Sequence, residues 1–136
     1  MSKSLLYSVN TNPQTITIGD DRLVNLGTPV RRYGNNINTS DGNIVLAGCG
    51  YYDIDVSVVV VATGTGDATL TLYKDGVPIA GGTSTITVGT SGDTETIDVK
   101  AVVKENCPCE SVITAILSGE ITSVVVNLAK AIVEKS

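Results

Sequence analysis

Few residues of this chain are able to do chemistry, and their spacing decides how far each can be taken. Cys107-Pro108-Cys109 holds two thiols one residue apart across a proline that restrains the loop. Such a pair can hold a soft metal if Cys49 or a second chain adds a ligand, or it can be redox-active. Three cysteines, an odd number, instead fit reduced thiols, with Cys49 a small buried hydrophobe before Gly50. Asp20-Asp21 with Asp41 offers carboxylates for acid-base work or calcium. Adjacent aspartates in a glycine-flanked loop read more simply as solvated turn residues. Gly64-Thr65-Gly66 and residues 89–92 have the glycines of a phosphate cradle, but no Lys-Ser/Thr helix start follows either, so both read as hairpin tips. The absence of histidine removes the usual triads and the commonest zinc ligand. The expectation is a non-enzyme with no catalytic residue, no cofactor and no metal site.

Composition narrows the class further. A chain of 136 residues is long enough to close one core without staples and too short for two comfortable ones, so residues 1–136 are expected to form a single domain. Nine Lys plus Arg against fourteen Asp plus Glu, with Arg31-Arg32 the only basic pair, argue against nucleic acid. Phe and Trp are absent while Val, Thr, Ile and Gly abound, which favours β structure around an aliphatic core. The first ten residues lack a signal-peptide apolar region, and no run reaches membrane-spanning length. Synthesis in the cytoplasm without a signal peptide, and no membrane partner, are expected.

The elements that must position these residues are organised around residues 44–61. From Tyr52 the even positions Tyr52, Ile54, Val56, Val58 and Val60 are apolar, while the odd ones run Asp53, Asp55, Ser57, Val59, Val61. One face is core throughout, and the other turns from polar to apolar, which asks for a second burial surface, most simply another subunit. Before it, residues 4–9, 15–18, 23–26 and 30–33 are short strand candidates, and residues 38–43 form a dense turn cluster. After it, residues 68–73 alternate into Asp75-Gly76, the strongest hairpin signal of the chain, with a return strand over 77–80 whose Pro78 marks an edge. Gly81-Gly82 then opens a separate segment over 83–88. Residues 94–104 turn Ile97, Val99, Ala101 and Val103 inward, and residues 112–117 and 121–132 form a last pair. The final segment also satisfies helical spacing, but its β-branched first half favours a strand. About ten short strands at turn spacings of roughly 8–12 residues point to a sandwich or jelly roll.

The run Gly50-Tyr51-Tyr52-Asp53-Ile54-Asp55-Val56, preceded by Ile44-Val45-Leu46 after a Gly-Asn turn, resembles the signature of the tumour necrosis factor and complement globular-head jelly rolls. Leu72-Tyr73-Lys74-Asp75-Gly76-Val77-Pro78-Ile79 resembles the hairpin of bacterial and phage members. The resemblance spans residues 5–132 and implies an all-β, ten-stranded jelly-roll sandwich that forms a compact homotrimer, one sheet of each copy packing about a three-fold axis. Gly50, Tyr52, Ile54, Val56, Asp75 and Gly76 are then structural. The axis side is Asp53, Asp55, Ser57, Val59 and Val61, with Val124, Val126 and Leu128 of the last strand as a second contact. Aromatic or aliphatic residues usually fill the first axis positions, and here two carboxylates per copy repel across the axis unless hydrated, protonated or bridged by a cation. No Gly-X-Y tract is present, so stalk-dependent roles do not carry over. What the resemblance implies is a structural or adhesive head on a phage virion, a capsid fibre or decoration module at the virion surface. Its partners are copies of itself, other virion proteins, or a host surface glycan or receptor. The alternative is a carbohydrate-binding or adhesion module of a bacterial or spore surface.

Overall fold

The computed structural model describes residues 4–17, 23–105, 110–121 and 123–135. The strands among them are β1 (Ser4–Asn10), β2 (Gln14–Thr17), β3 (Thr28–Tyr33), β4 (Ile37–Ser40), β5 (Asn43–Ala47), β6 (Gly50–Ala62), β7 (Gly66–Lys74), β8 (Val77–Val88), β9 (Thr94–Glu105), β10 (Glu110–Gly119) and β11 (Ser123–Lys135). They form two antiparallel sheets. The first has the order β3-β1-β11-β6-β9, with β2 pairing β11 beside that path; the second has the order β4-β5-β10-β7-β8. The architecture is the all-β jelly-roll sandwich that the sequence implied.

Alternation builds the core. Tyr52, Ile54, Val56, Val58 and Val60 of β6 are fully buried or nearly so, as are Ile97 and Val99 of β9 and Ala129, Ala131 and Val133 of β11. The second sheet answers with Ile44, Leu46, Leu70, Leu72, Ile113, Ala115 and Leu117. In β1, Leu6 and Ser8 point inward while Leu5, Tyr7 and Val9 face out, so the more apolar series is the one left toward the surface. The last segment is strand along its described length, paired to β6 and β1.

Three local expectations change. The turn cluster at 38–43 is mostly strand: β4 and β5 pair, and only Asp41-Gly42, both at positive φ, make the turn. Residues 77–88 are one strand rather than two, because the register jumps from Thr71↔Thr83 to Tyr73↔Pro78 and the extra residues loop out as a bulge. Residues 23–26 are not a strand: they meet β10 through an isolated bridge of Leu23 to Ile116 and Val24 N donating to Ala115 O at 2.8 Å, with Val24 and Leu26 in the core.

Asp75-Gly76 closes β7 onto β8 with φ of 51° and 82°, the type I′ pattern that suits a two-residue hairpin. Gly119 has a different constraint. At φ 131° it ends β10 where an added Cβ lies 2.2 Å from Asp67 O, the oxygen that accepts from Glu120 N. Gly76→Ala meets no neighbouring atom and costs only the left-handed conformation, about 1–2 kcal/mol. Gly119→Ala must also push two strands apart, so its loss is expected at about 3 kcal/mol or more. Urea unfolding midpoints of the two variants check the order.

Candidate functional site

The face that can do something is the outward side of the first sheet, because β6, its long central strand, sets which residues appear there. Pairing in register places Leu5, Glu134, Asp53 and Val102 in one row across β1, β11, β6 and β9; Tyr7, Ile132, Asp55 and Lys100 form the next. Further along come Val9, Lys130, Ser57 and Asp98, then Leu128, Val59 and Thr96, then Val125, Val61 and Thr94. Asp53, Asp55, Ser57, Val59 and Val61 therefore lie together on the outward face. Val59, Val61, Val125, Leu128 and Ile132 are half-buried by their neighbours, and Val102 is 62% exposed.

Val124 and Val126 are not on this face. Both are fully buried in the chain's own core, opposite Ala62 and Val60. A register shift between Val126 and Leu128 makes Asn127 the extra residue, so even positions point inward before it and odd positions after it. From Val125 onward the outward residues of β11 are Val125, Leu128, Lys130, Ile132 and Glu134, and only Leu128 of the expected set belongs there. A run of three valines fits either phase, which is why alternation alone misplaced it; the phase of Ala129, Ala131 and Val133 was the signal.

Charge on this face is ordered. Asp53 stands directly opposite Glu134, and like charges in opposed positions are unfavourable. Lys100 Nζ lies 3.9 Å from Asp55 Oδ2 in an exposed pair of small energetic weight. Ser57 Oγ donates to Asp98 Oδ1. Ala80 and Gly81, in the β8 bulge, rise beside β9 and with Val102, Ile132 and Glu134 bound a cleft of about 640 Å³ over the acidic residues.

The opposite outward face differs. Across β7 and β8, Thr69 bonds Thr85 at 2.8 Å, Thr83 bonds Thr71 at 3.4 Å, and Thr87 donates to Asp67 at 2.8 Å. That hydroxyl surface is comfortable in water.

Asp20-Asp21 and Cys107-Pro108-Cys109 lie outside the described residues. Cys49 is exposed and disulfide-bonded, not a reduced, buried thiol; an odd cysteine count does not forbid one bridge. Among the described residues no group of three or more His, Cys, Asp or Glu is arranged to hold a metal ion. No helix among them is long and apolar enough to cross a membrane. Asn36 is a brace, since its Nδ2 donates to Ala47 O at 2.6 Å and its backbone N to Ser4 Oγ at 3.3 Å. A second cleft, of about 620 Å³, which the sequence did not single out, is lined by Asn10, Asn12, Asn25, Thr28, Thr39 and Asp41. Asn25 organises it, its backbone O accepting from Asn10 Nδ2 and Gln14 Nε2 and its Oδ1 from Gly27 N.

Two packed antiparallel sheets in these orders define a tumour necrosis factor-like jelly-roll head fold. No protein-family model and no curated protein matches the sequence. Solved structures with this fold include murine APRIL at pH 5.0, with TM-score 0.70 and 14% identity over 99% of this chain and 100% of that one. Eiger TNF from S. frugiperda superposes with TM-score 0.66 at 6% identity, covering 98% and 91% of the two chains. The PRD1 vertex protein P5 gives 0.64 at 17% identity, covering 98% and 96%.

Tyr52 anchors the end of β6 that leads into this face. Its hydroxyl donates to Gly48 O at 2.8 Å, and Ala47 O lies 3.3 Å away. Burial raises its pKa above the ordinary 10.0, with the negative charge of Glu105 adding to the effect. Because the folded chain keeps this proton where the unfolded chain loses it, stability is full below about pH 10 and falls as pH rises beyond it. Tyr52→Phe is expected to lower stability by about 1 kcal/mol at neutral pH through the lost hydrogen bond, and to flatten the decline above pH 10. Thermal unfolding from pH 7 to 11 checks both.

Proposed function

We propose that the chain is a non-enzymatic homotrimeric head whose first sheet packs around a three-fold axis, serving as a structural or adhesive part of a phage virion such as a capsid fibre or decoration module. The carrying observation is the contrast between the two outward faces. On the first sheet Leu5, Tyr7 and Ile132 form one apolar field and Val59, Val61, Val125 and Leu128 a second, separated by the Lys130-Ser57-Asp98 row, and one chain leaves both half-buried. Fully burying a Val, Leu or Ile yields about 1.5–3 kcal/mol, so each leaves roughly half of that to be gained by a partner. The β7–β8 surface presents hydrogen-bonded hydroxyls instead. Asp53, Asp55, Ser57, Val59, Val61 and Leu128 are then subunit-contact residues, and loops at one end of the sandwich are displayed in three copies for multivalent contact. Likeness to a phage vertex protein supports the virion setting.

A second reading, a carbohydrate-binding or adhesion module, draws on the cleft of amides and hydroxyls around Asn25. Binding of the purified protein on a glycan array, lost in Asn12→Ala with Asp41→Ala, supports that reading.

Light scattering at micromolar concentration is expected to return three times the chain mass. Val59→Asp or Leu128→Asp, each a soluble change in a lone chain, is expected to return the monomer mass with strand content retained. Thr85→Asp on the other sheet should leave the assembly intact. A wild-type monomer removes the three-fold reading.

A further inference from the structure

The cleft around Asn25 divides into polar groups that the fold has spent and polar groups that it has not. Asn25 belongs to the frame. Val24 and Leu26 on either side of it are fully buried, which turns the asparagine outward, and Gln14 clasps its main chain, Nε2 donating to Asn25 O at 2.8 Å and Oε1 accepting from Asn25 N at 2.9 Å. Leu26 N donates to Gly42 O at 2.8 Å, which fastens the same segment to the β4–β5 turn. Two glycines let the walls close: a Cβ on Gly27 would lie 2.1 Å from Val9 O, and one on Gly42 would lie 2.5 Å from Asn25 Cγ. Asn10 Oδ1 accepts from Asn12 N at 2.9 Å and so sets the chain that brings Asn12 into the lining. The Asn12 amide, the Thr28 and Thr39 hydroxyls and the Asp41 carboxylate line the same cleft, and among the described residues none of these side-chain groups has a hydrogen-bond partner.

We propose that this cleft takes one neutral sugar ring at the end of a glycan, held through its hydroxyls, an assignment that rests on the carbohydrate reading above and is independent of the three-fold one. Its volume of about 620 Å³ falls within the roughly 300–1,000 Å³ usual for small-ligand sites. Sugar hydroxyls donate and accept at once, and the unspent groups answer both needs: the Asp41 carboxylate accepts from two neighbouring hydroxyls, the Asn12 amide donates and accepts, and the threonines do either. Charge sets the limit. Among the described residues Asp41 is the only charged side chain in the lining, no lysine or arginine joins it, and the whole chain carries -5, so sialic and uronic acids, sulfates and phosphates are repelled. A lone carboxylate also suits an amine, but an ammonium is donor-only and leaves the amide and hydroxyl donors without acceptors. No aromatic side chain lines the cleft, so the ring gains no stacking and every hydrogen bond competes with water. One site is therefore weak, and display of several copies supplies the avidity.

Amide chemical shifts of the isotope-labelled full chain test it, in titrations with the methyl glycosides of glucose, galactose and mannose and of the terminal sugar of any arrayed glycan the chain binds. At least one glycoside is expected to move the signals of Asn12, Asn25, Thr28, Thr39 and Asp41 saturably at millimolar concentration, while N-acetylneuraminic acid and lysine methyl ester move none of them. Asp41→Asn keeps a residue type that tolerates the left-handed turn, where φ is 52°, and removes one of the two acceptor oxygens. It is expected to weaken binding at least tenfold with the remaining amide signals in place, and Asn12→Ala to do the same. Thr69→Ala with Thr85→Ala, on the hydroxyl-rich β7–β8 face, leaves the affinity unchanged. A response equal for N-acetylneuraminic acid, one seen with lysine methyl ester alone, or one that maps away from this cleft overturns the neutral-sugar assignment. A chain that binds an arrayed glycan yet shows no response at these residues overturns this cleft alone. A chain silent on the array and in the titration overturns the carbohydrate reading beneath it.

Discussion

The structure depends on the double-sided pairing of β6. It is bonded to β11 along one edge and to β9 along the other, nearly end to end, so its alternation is imposed on both neighbours. A slip of one residue would carry Tyr52, Ile54, Val56, Val58 and Val60 out of the core and bring Asp53, Asp55 and Ser57 into it. Ordering of the outward face is thus a by-product of core formation: the residues available to a partner are those the core rejects. The Asp53 to Val61 series changes character along its length because only the inward series is constrained by a single chain.

The start of β6 is secured by polar contacts more than by packing. Tyr52, Asn36 and Ser4 tie the β5–β6 connection to β1 and to the loop after β3. Gly48 at φ 116° lets the chain pass Asn36, whose Nδ2 would sit 2.3 Å from any Cβ there. Glu105 is buried nearby with its Oε2 unpaired among the described residues, a cost that a core tyrosine and a carboxylate share at close quarters. The disulfide at Cys49 fastens the same connection covalently. The far end of β6 is held differently, by Thr63 Oγ1 donating to Ser123 O at 2.7 Å and by backbone bonds between Ala62 and residues 92–93.

What could be read from residue order was whatever had an unambiguous period. The even and odd series of β6, the inward residues of β9 and the Asp75-Gly76 hairpin each combine residue types so that only one reading fits. Legibility ended where neighbours were alike. Val124, Val125 and Val126 allow either phase, and the bulge at Asn127 left no local mark. Gly81-Gly82 has the composition of a break, yet the strand continues through it by looping out. β4 is almost wholly polar, and its pairing to β5 follows from register, not hydrophobicity. Cys49 was misread because thiol bridging depends on what lies near in space, which a count of cysteines does not contain.

The open edges of the two sheets bear on how copies can meet. Strands exposed at an edge invite in-plane pairing with another chain, and each of the four here is blunted against it. β3 carries Pro29 and two arginines, and β4 has only four residues. β8 has Pro78 as its second residue near an outlooped bulge, and β9 carries Asp98, Lys100 and Lys104 along its outward side. Edge protection alone accounts for lysines on β9, but it asks for charge of either sign and has no use for an exposed valine between them, which by itself invites association. Val102 makes sense if the edge is closed to pairing within the sheet plane and open to docking onto a face. Face docking leaves the backbone ladders of every copy complete and spends only side-chain complementarity. Such contact can close a ring without the open-ended growth that strand addition brings.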